Sequence, residues 1–148
     1  YCFEPDGQNI KEAIRNLEGY MAYEIVPKAL WSKTTKLAIQ AKGNFATCVG
    51  EKNDSSEKID AVALDDFLMG KPVTYLKMDV EGAELEALHG AKQLVASQRP
   101  RLAISIYHKT EDVWTLPGYI LEICPDYKFF LRHYSFGDYD TVLYAVVS

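Results

Sequence analysis

No two of the nine glycines stand one residue apart, so the 148-residue sequence contains no G-x-G. That excludes, within these residues, the glycine-rich turn that lets a backbone close on a phosphate or dinucleotide. Cysteine is scarce as well. Cys2, Cys48 and Cys124 are odd in number and far apart. Such spacing argues against a disulfide framework or a zinc site and suits a reducing, cytoplasmic compartment. Basic charge is not in excess: 16 Lys and Arg face 21 Asp and Glu, a net charge of −5. Nucleic acid is therefore not an expected partner. No apolar run approaches the roughly 20 residues of a membrane span, and no signal-peptide pattern is visible from Tyr1 onward. Repeats, low-complexity tracts and linkers are also absent.

What is present is a globular composition, 48% hydrophobic and 25% charged. A chain of this length forms one domain, residues 1–148, burying about two thirds of its unfolded surface. A short aromatic strand ends at Glu4, and Pro5-Asp6 begin a turn. Ile10, Ala13, Ile14 and Leu17 then follow helical spacing. Residues 23–31 read as one apolar strand stopped near Pro27. TKLAIQ and FATCV flank AKGN, a hairpin turning at Gly43-Asn44. After the polar loop 50–58 comes a strand and a short helical turn, with Asp65 as a cap. Arg101–Tyr107 is a buried strand ending at His108. The next helix restarts at Pro117, a residue suited to a first helical position. YKFFLRHY and DTVLYAVV close the chain as an antiparallel hairpin. Strands alternating with helices predict an α/β fold with a mostly parallel, Rossmann-like sheet.

The chemistry concentrates in YLKMDVEGAELEAL, residues 75–88. Tyr75, Lys77, Asp79 and Glu81 alternate with Leu76, Met78 and Val80, a strand period. From Ala83 the spacing turns helical, with Leu85, Leu88 and Val95 on the apolar face. Gly82 permits the sharp turn between them. Carboxylates near a helix start are stabilised by its unpaired N–H groups, and Glu84 and Glu86 are read as serving the helix alone. Asp79 and Glu81 stand at the carboxyl end of a strand, where open α/β sheets place ligands. His108 ends the strand expected beside them. It is either a general base or a histidine tied to loop backbone. Glu4, at another strand end, either accepts ribose hydroxyls or caps its own turn. Lys77, if buried, needs Asp79 or Glu81 as partner. His89 is read as a surface residue, and one of Arg132 and His133 as outward-facing.

These residues resemble a known family. YLKMDVEGAELEALHGA, RPRLAISIYHKTEDVW, PDYKFFLRHYS and DTVLYAV together resemble the FkbM family of S-adenosylmethionine-dependent methyltransferases. YCFEPDGQN resembles that family's second-strand motif, and YEIVPKALWSKTTKL its third-strand region. The resemblance implies a Rossmann-like class I methyltransferase fold and methyl transfer to a hydroxyl of a sugar, glycolipid or polyketide-like acceptor. Carried onto this sequence, it implies that Glu4 holds the cofactor ribose and that Ala29 and Leu30 approach the adenine. Asp79 would face the methyl donor, and Glu81 and His108 the acceptor. Magnesium shared by Asp79 and Glu81 ranks second, because that ion favours one or two carboxylates plus water.

Family members grip the methionine portion with a glycine-rich loop after a central first strand. Neither is visible here, so the domain is expected to be N-terminally incomplete. The strand edges left unpaired would favour homo-association. The competing reading is a non-catalytic nucleoside-binding or interaction module on the same scaffold.

Overall fold

The computed structural model describes residues 1–20, 22–42, 46–50 and 58–147, with backbone alone for 39–42 and 46–50. In chain order the elements are β1 (Cys2–Phe3), α1 (Gly7–Asn16), β2 (Ile25–Val26), β3 (Ala29–Leu30), β4 (Thr35–Lys42), β5 (Ala46–Gly50), β6 (Lys58–Val62) and α2 (Leu64–Leu68). They continue as β7 (Tyr75–Met78), α3 (Glu84–His89), α4 (Lys92–Gln98), β8 (Arg101–Ser105), α5 (Asp112–Ile123), β9 (Lys128–His133) and β10 (Thr141–Val146).

The α/β architecture is as expected, with a more mixed strand pairing than a mostly parallel sheet. Among the described residues three sheets form, ordered β1-β2, β7-β8-β10-β9 and β3-β6-β4-β5. Pairing is parallel for β1–β2, β3–β6 and β7–β8, and antiparallel for the other four pairs. The segment 23–31 is not one strand. It splits at Pro27-Lys28 into β2 and β3, which join different sheets. Pro lacks the N–H that a continuous ladder would need there. β4 and β5 pair antiparallel as the expected hairpin, Lys42 facing Ala46; its turn at Gly43-Asn44 lies outside the described residues. Among the described residues, β1 pairs only with β2 and β7 only with β8.

The helices obey the predicted periodicity with two corrections. The helix expected from Ala83 onward breaks at Gly90-Ala91 into α3 and α4. Asp65 supplies the reason. It is not the cap of its own helix, where Ala63 holds that place. Its backbone N–H donates to Gly90 O at 2.8 Å, and its carboxylate accepts from Gln93 N at 2.9 Å and Leu94 N at 2.8 Å. Asp65 thus satisfies the orphan N–H groups of α4. Replacing it with Ala should cost about 1 kcal/mol, the usual worth of such a cap. Denaturant unfolding measures this, and an unchanged midpoint would show the cap to be dispensable.

The second correction is Pro117, which sits inside α5 rather than starting it. Leu116 and Ile120 flank it at 0% exposure, and their burial outweighs the lost backbone bond. The main core joins Met78, Leu88, Val95, Leu102 and Ile104 to these α5 residues; a smaller one joins Ala29, Leu37, Ile59 and Ala61.

Candidate active site at the carboxyl end of β7

Strand β7 turns its alternate residues as predicted: Met78 is buried, and Tyr75, Lys77 and Asp79 are exposed. Past its end the chain makes two left-handed residues in succession, Glu81 with φ 54° and Gly82 with φ 89°. Glycine adopts this conformation freely and glutamate does not. Strain of this kind concentrates at functional sites. Gly82 also brings backbone against the loop after β8. A Cβ there would meet Lys109 Cε at 3.3 Å and His108 Cβ at 3.7 Å. The Lys109 ammonium donates to the Gly82 carbonyl and staples the two loops together.

The outcome is an imidazole from the loop after β8 ringed by carboxylates of one short stretch, residues 79–84. His108 Nε2 lies 3.6 Å from Asp79 Oδ1 and 3.4 Å from Glu81 Oε2, and its Nδ1 lies 2.9 Å from Glu84 Oε1. Tyr107 donates its hydroxyl to Asp79 Oδ1 at 3.1 Å, and its ring lies 4.1 Å from that of His108 between centroids. Lys77 Nζ is 3.3 Å from Asp79 Oδ2. Lys77 is exposed, so this pair adds little stability.

The electrostatics follow from this packing. Burial pushes the Glu81 pKa up. The charge of His108 opposes the shift, and Asp79, Glu84 and Glu4 add to it. Burial alone would lower His108, but contact with Glu84 and the charges of Glu84, Glu81 and Asp79 outweigh it, and the net shift is upward. Burial alone would raise Glu84. Its contact with His108 and the bond from Val80 N–H reverse that, holding it below the ordinary carboxylate value. Burial, with the Asp79 charge behind it, raises the Tyr107 phenol.

The structure thus brings Asp79, Glu81 and His108 together. Of the others predicted from sequence, Glu4 is tied into its own turn, its Oε1 accepting from Asp6 N at 2.8 Å, while its charge still reaches Glu81. Ala29 and Leu30 are buried in β3, each 6% exposed, and no described hydrogen bond joins them to the cluster. His89 is exposed as expected and packs edge-on against Tyr119. Arg132 and His133 are both exposed, so both faces of β9 are open at this point rather than one.

Glu84 is the main correction. Read as a helix-end charge, it is 0% exposed and touches His108. A signal was present in the sequence. Glu84, Ala87, Leu88 and Ala91 form the inward i, i+3, i+4, i+7 stripe, and a carboxylate on such a stripe needs a partner. Glu86 stays on the helix surface, as read. Tyr107 and Lys109 had no such signal, since their partners lie 27 or 28 residues away.

Asp79, Glu84 and His108 each offer a ligand atom within 4.8 Å of one another. Magnesium fits this set poorly. It requires octahedral oxygen ligands and retained water, and here an imidazole nitrogen stands beside both Asp79 and Glu81. Carboxylates grouped this way complement a cationic sulfonium instead.

An α/β sheet with ionisable groups at its strand ends defines a Rossmann-like scaffold with a ligand rim. The methyltransferase FkbM domain model matches residues 2–135. The chain belongs to the FkbM methyltransferase family. It is similar to the crystal structure of methyltransferase FkbM from Methylobacillus flagellatus KT, with a TM-score of 0.76 and 30% sequence identity over 97% of this chain. The chain spans 35% of that protein's length. No curated protein matches it.

Proposed function

We propose that this domain carries acceptor-side chemistry for an S-adenosylmethionine-dependent O-methyltransferase acting on a hydroxyl of a sugar, glycolipid or polyketide-like molecule. The observation that supports this most is His108 Nε2 lying within 3.6 Å of Asp79 and 3.4 Å of Glu81 at a strand end. Bound S-adenosylmethionine would supply an electrophilic methyl, whose bond to sulfur breaks as the acceptor oxygen bonds to it. His108 Nε2 takes the hydroxyl proton. Asp79 and Glu81 complement positive charge, first on the donor and then on the imidazolium. Holding donor and acceptor in line supplies much of the acceleration. Glu4 is assigned to the ribose, and the backbone around Ala29 and Leu30 to the adenine. The free thiols Cys2 and Cys124 suit a reducing, cytoplasmic setting.

The test is transfer of labelled methyl from S-adenosylmethionine across a panel of hydroxylated acceptors. Transfer to none, with binding retained, would favour a non-catalytic nucleoside-binding module.

The pH profile follows from the groups facing His108: Glu84 on α3, Asp79 and Glu81 after β7, and neighbouring Tyr107 and Lys109. A base must be neutral to act. With its pKa shifted upward, the acid limb of kcat/KM should lie above the ordinary imidazole value of about 6.5. Stability runs the other way. The charged imidazole's contribution is complete below about 6.5 and is lost as pH rises through the higher folded value. His108→Gln should abolish that acid limb. A variant with an unchanged profile would make His108 structural only.

A further inference from the structure

The mechanism above leaves Glu84 unused, although it is the most deeply buried ionisable group beside the rim. We propose that Glu84 is a positioning residue, the orienting member of a carboxylate–imidazole dyad that holds His108 through Nδ1 and aims Nε2 between Asp79 and Glu81, at the rim where the acceptor would approach. This rests on the reading of His108 as the base.

Geometry carries the assignment. Glu84 is 0% exposed and its Oε1 lies 2.9 Å from Nδ1, within ion-pair distance but not aligned as a hydrogen bond. Its carboxylate is fixed by Val80 N–H, which donates to Oε1 at 3.0 Å. Val80 precedes the left-handed pair Glu81-Gly82, so one turn sets both the dyad and the rim. The two ring nitrogens face different surroundings. Nδ1 faces a buried carboxylate, whereas Nε2, itself buried, faces side chains of Asp79 and Glu81 that are 34% and 38% exposed and must part to admit an acceptor hydroxyl. The nearer and more deeply buried carboxylate, at Nδ1, favours the tautomer with its proton there over the one facing the more distant, partly solvated Asp79 and Glu81, and leaves Nε2 to accept one. When Nε2 takes the hydroxyl proton, the nearby anion stabilises the imidazolium that forms. Glu84 itself stays ionised, held below the ordinary carboxylate value.

Asp112 stands behind the pair. It is 3% exposed, and its Oδ2 and Glu84 Oε2, like both ring nitrogens of His108, are buried without a hydrogen-bond partner. Burial, then the charge of Glu84, pushes its pKa up. A carboxyl shifted toward its neutral form avoids placing a second buried anion beside Glu84.

Nitrogen-15 NMR of the substrate-free protein tests the dyad apart from any activity. The expected result is a neutral His108 carrying its proton on Nδ1, with a pKa above about 6.5. A proton on Nε2 in the neutral form, or a pKa at or below that value, would overturn the assignment. E84Q keeps the side-chain size and removes the charge. It should lower the His108 pKa and reduce kcat by about 10²-fold or more, with KM little changed. A fall in kcat without movement of the His108 pKa would reduce Glu84 to a packing residue. If E84Q does not fold, the tautomer and pKa of the unaltered protein decide. A dyad seen by NMR without methyl transfer to any acceptor would count against the functional reading and leave the dyad standing.

Discussion

Asp79→Asn should lower methyl transfer by about 10²-fold or more, the scale of a lost acid–base partner. Asparagine matches aspartate in size and can still accept the Tyr107 hydroxyl, now 3.1 Å from Oδ1. What it removes is charge. Asp79 is one of two carboxylates facing His108 Nε2, at 3.6 Å, and it neighbours the Lys77 ammonium at 3.3 Å. Without it, the positive charge that the proposed reaction moves from donor to imidazole would meet one anion fewer. The loss should appear in kcat more than in KM, because the interaction strengthens as the imidazolium forms. Steady-state transfer of labelled methyl measures it, with a thermal melt to confirm folding. Near-normal turnover in a folded variant removes Asp79 from the machinery.

Gly90→Ala should be the most damaging small substitution for stability. Gly90 has an ordinary φ of −75°, so conformational freedom is not what it provides. It provides space. A Cβ there would lie 2.0 Å from the Trp31 carbonyl oxygen and 3.1 Å from Ala63 Cα. Both are backbone atoms, and backbone bonds hold the contact in place. Trp31 N–H donates to Val62 O at 3.1 Å, and Asp65 N–H to Gly90 O at 2.8 Å. Relief of the clash would have to shift α3 away from the β3–β6 pair. The cost should reach or exceed the roughly 3 kcal/mol at the upper end of overpacking penalties. For a domain of this size that lowers Tm by about 10 °C. An unchanged melting temperature would show that the helix and the strand pair move apart freely.

The two glycine effects separate what local sequence carries from what packing adds. Gly82 was legible, because a strand period stops on one side of it and a helix period starts on the other. Its φ of 89° is the turn that change of period requires. Gly90 and Gly118 look alike in sequence, both inside apolar helical runs. Only one meets another backbone; nothing lies within 4 Å of a Cβ at Gly118. The contact at Gly90 is made with Trp31, 59 positions earlier in the numbering, and no local pattern encodes it.

By itself, the sequence determined the alternation of strands and helices, the C-terminal hairpin and the strand end that bears Asp79 and Glu81, because hydrophobic periodicity and turn chemistry act over a few residues. Tertiary structure decided the division of segment 23–31 between two sheets, the break between α3 and α4, and the placing of Glu84 against His108. Each of these depends on groups distant in sequence meeting in space. A buried carboxylate shows whether it caps a helix or holds an imidazole only when its partner is in place.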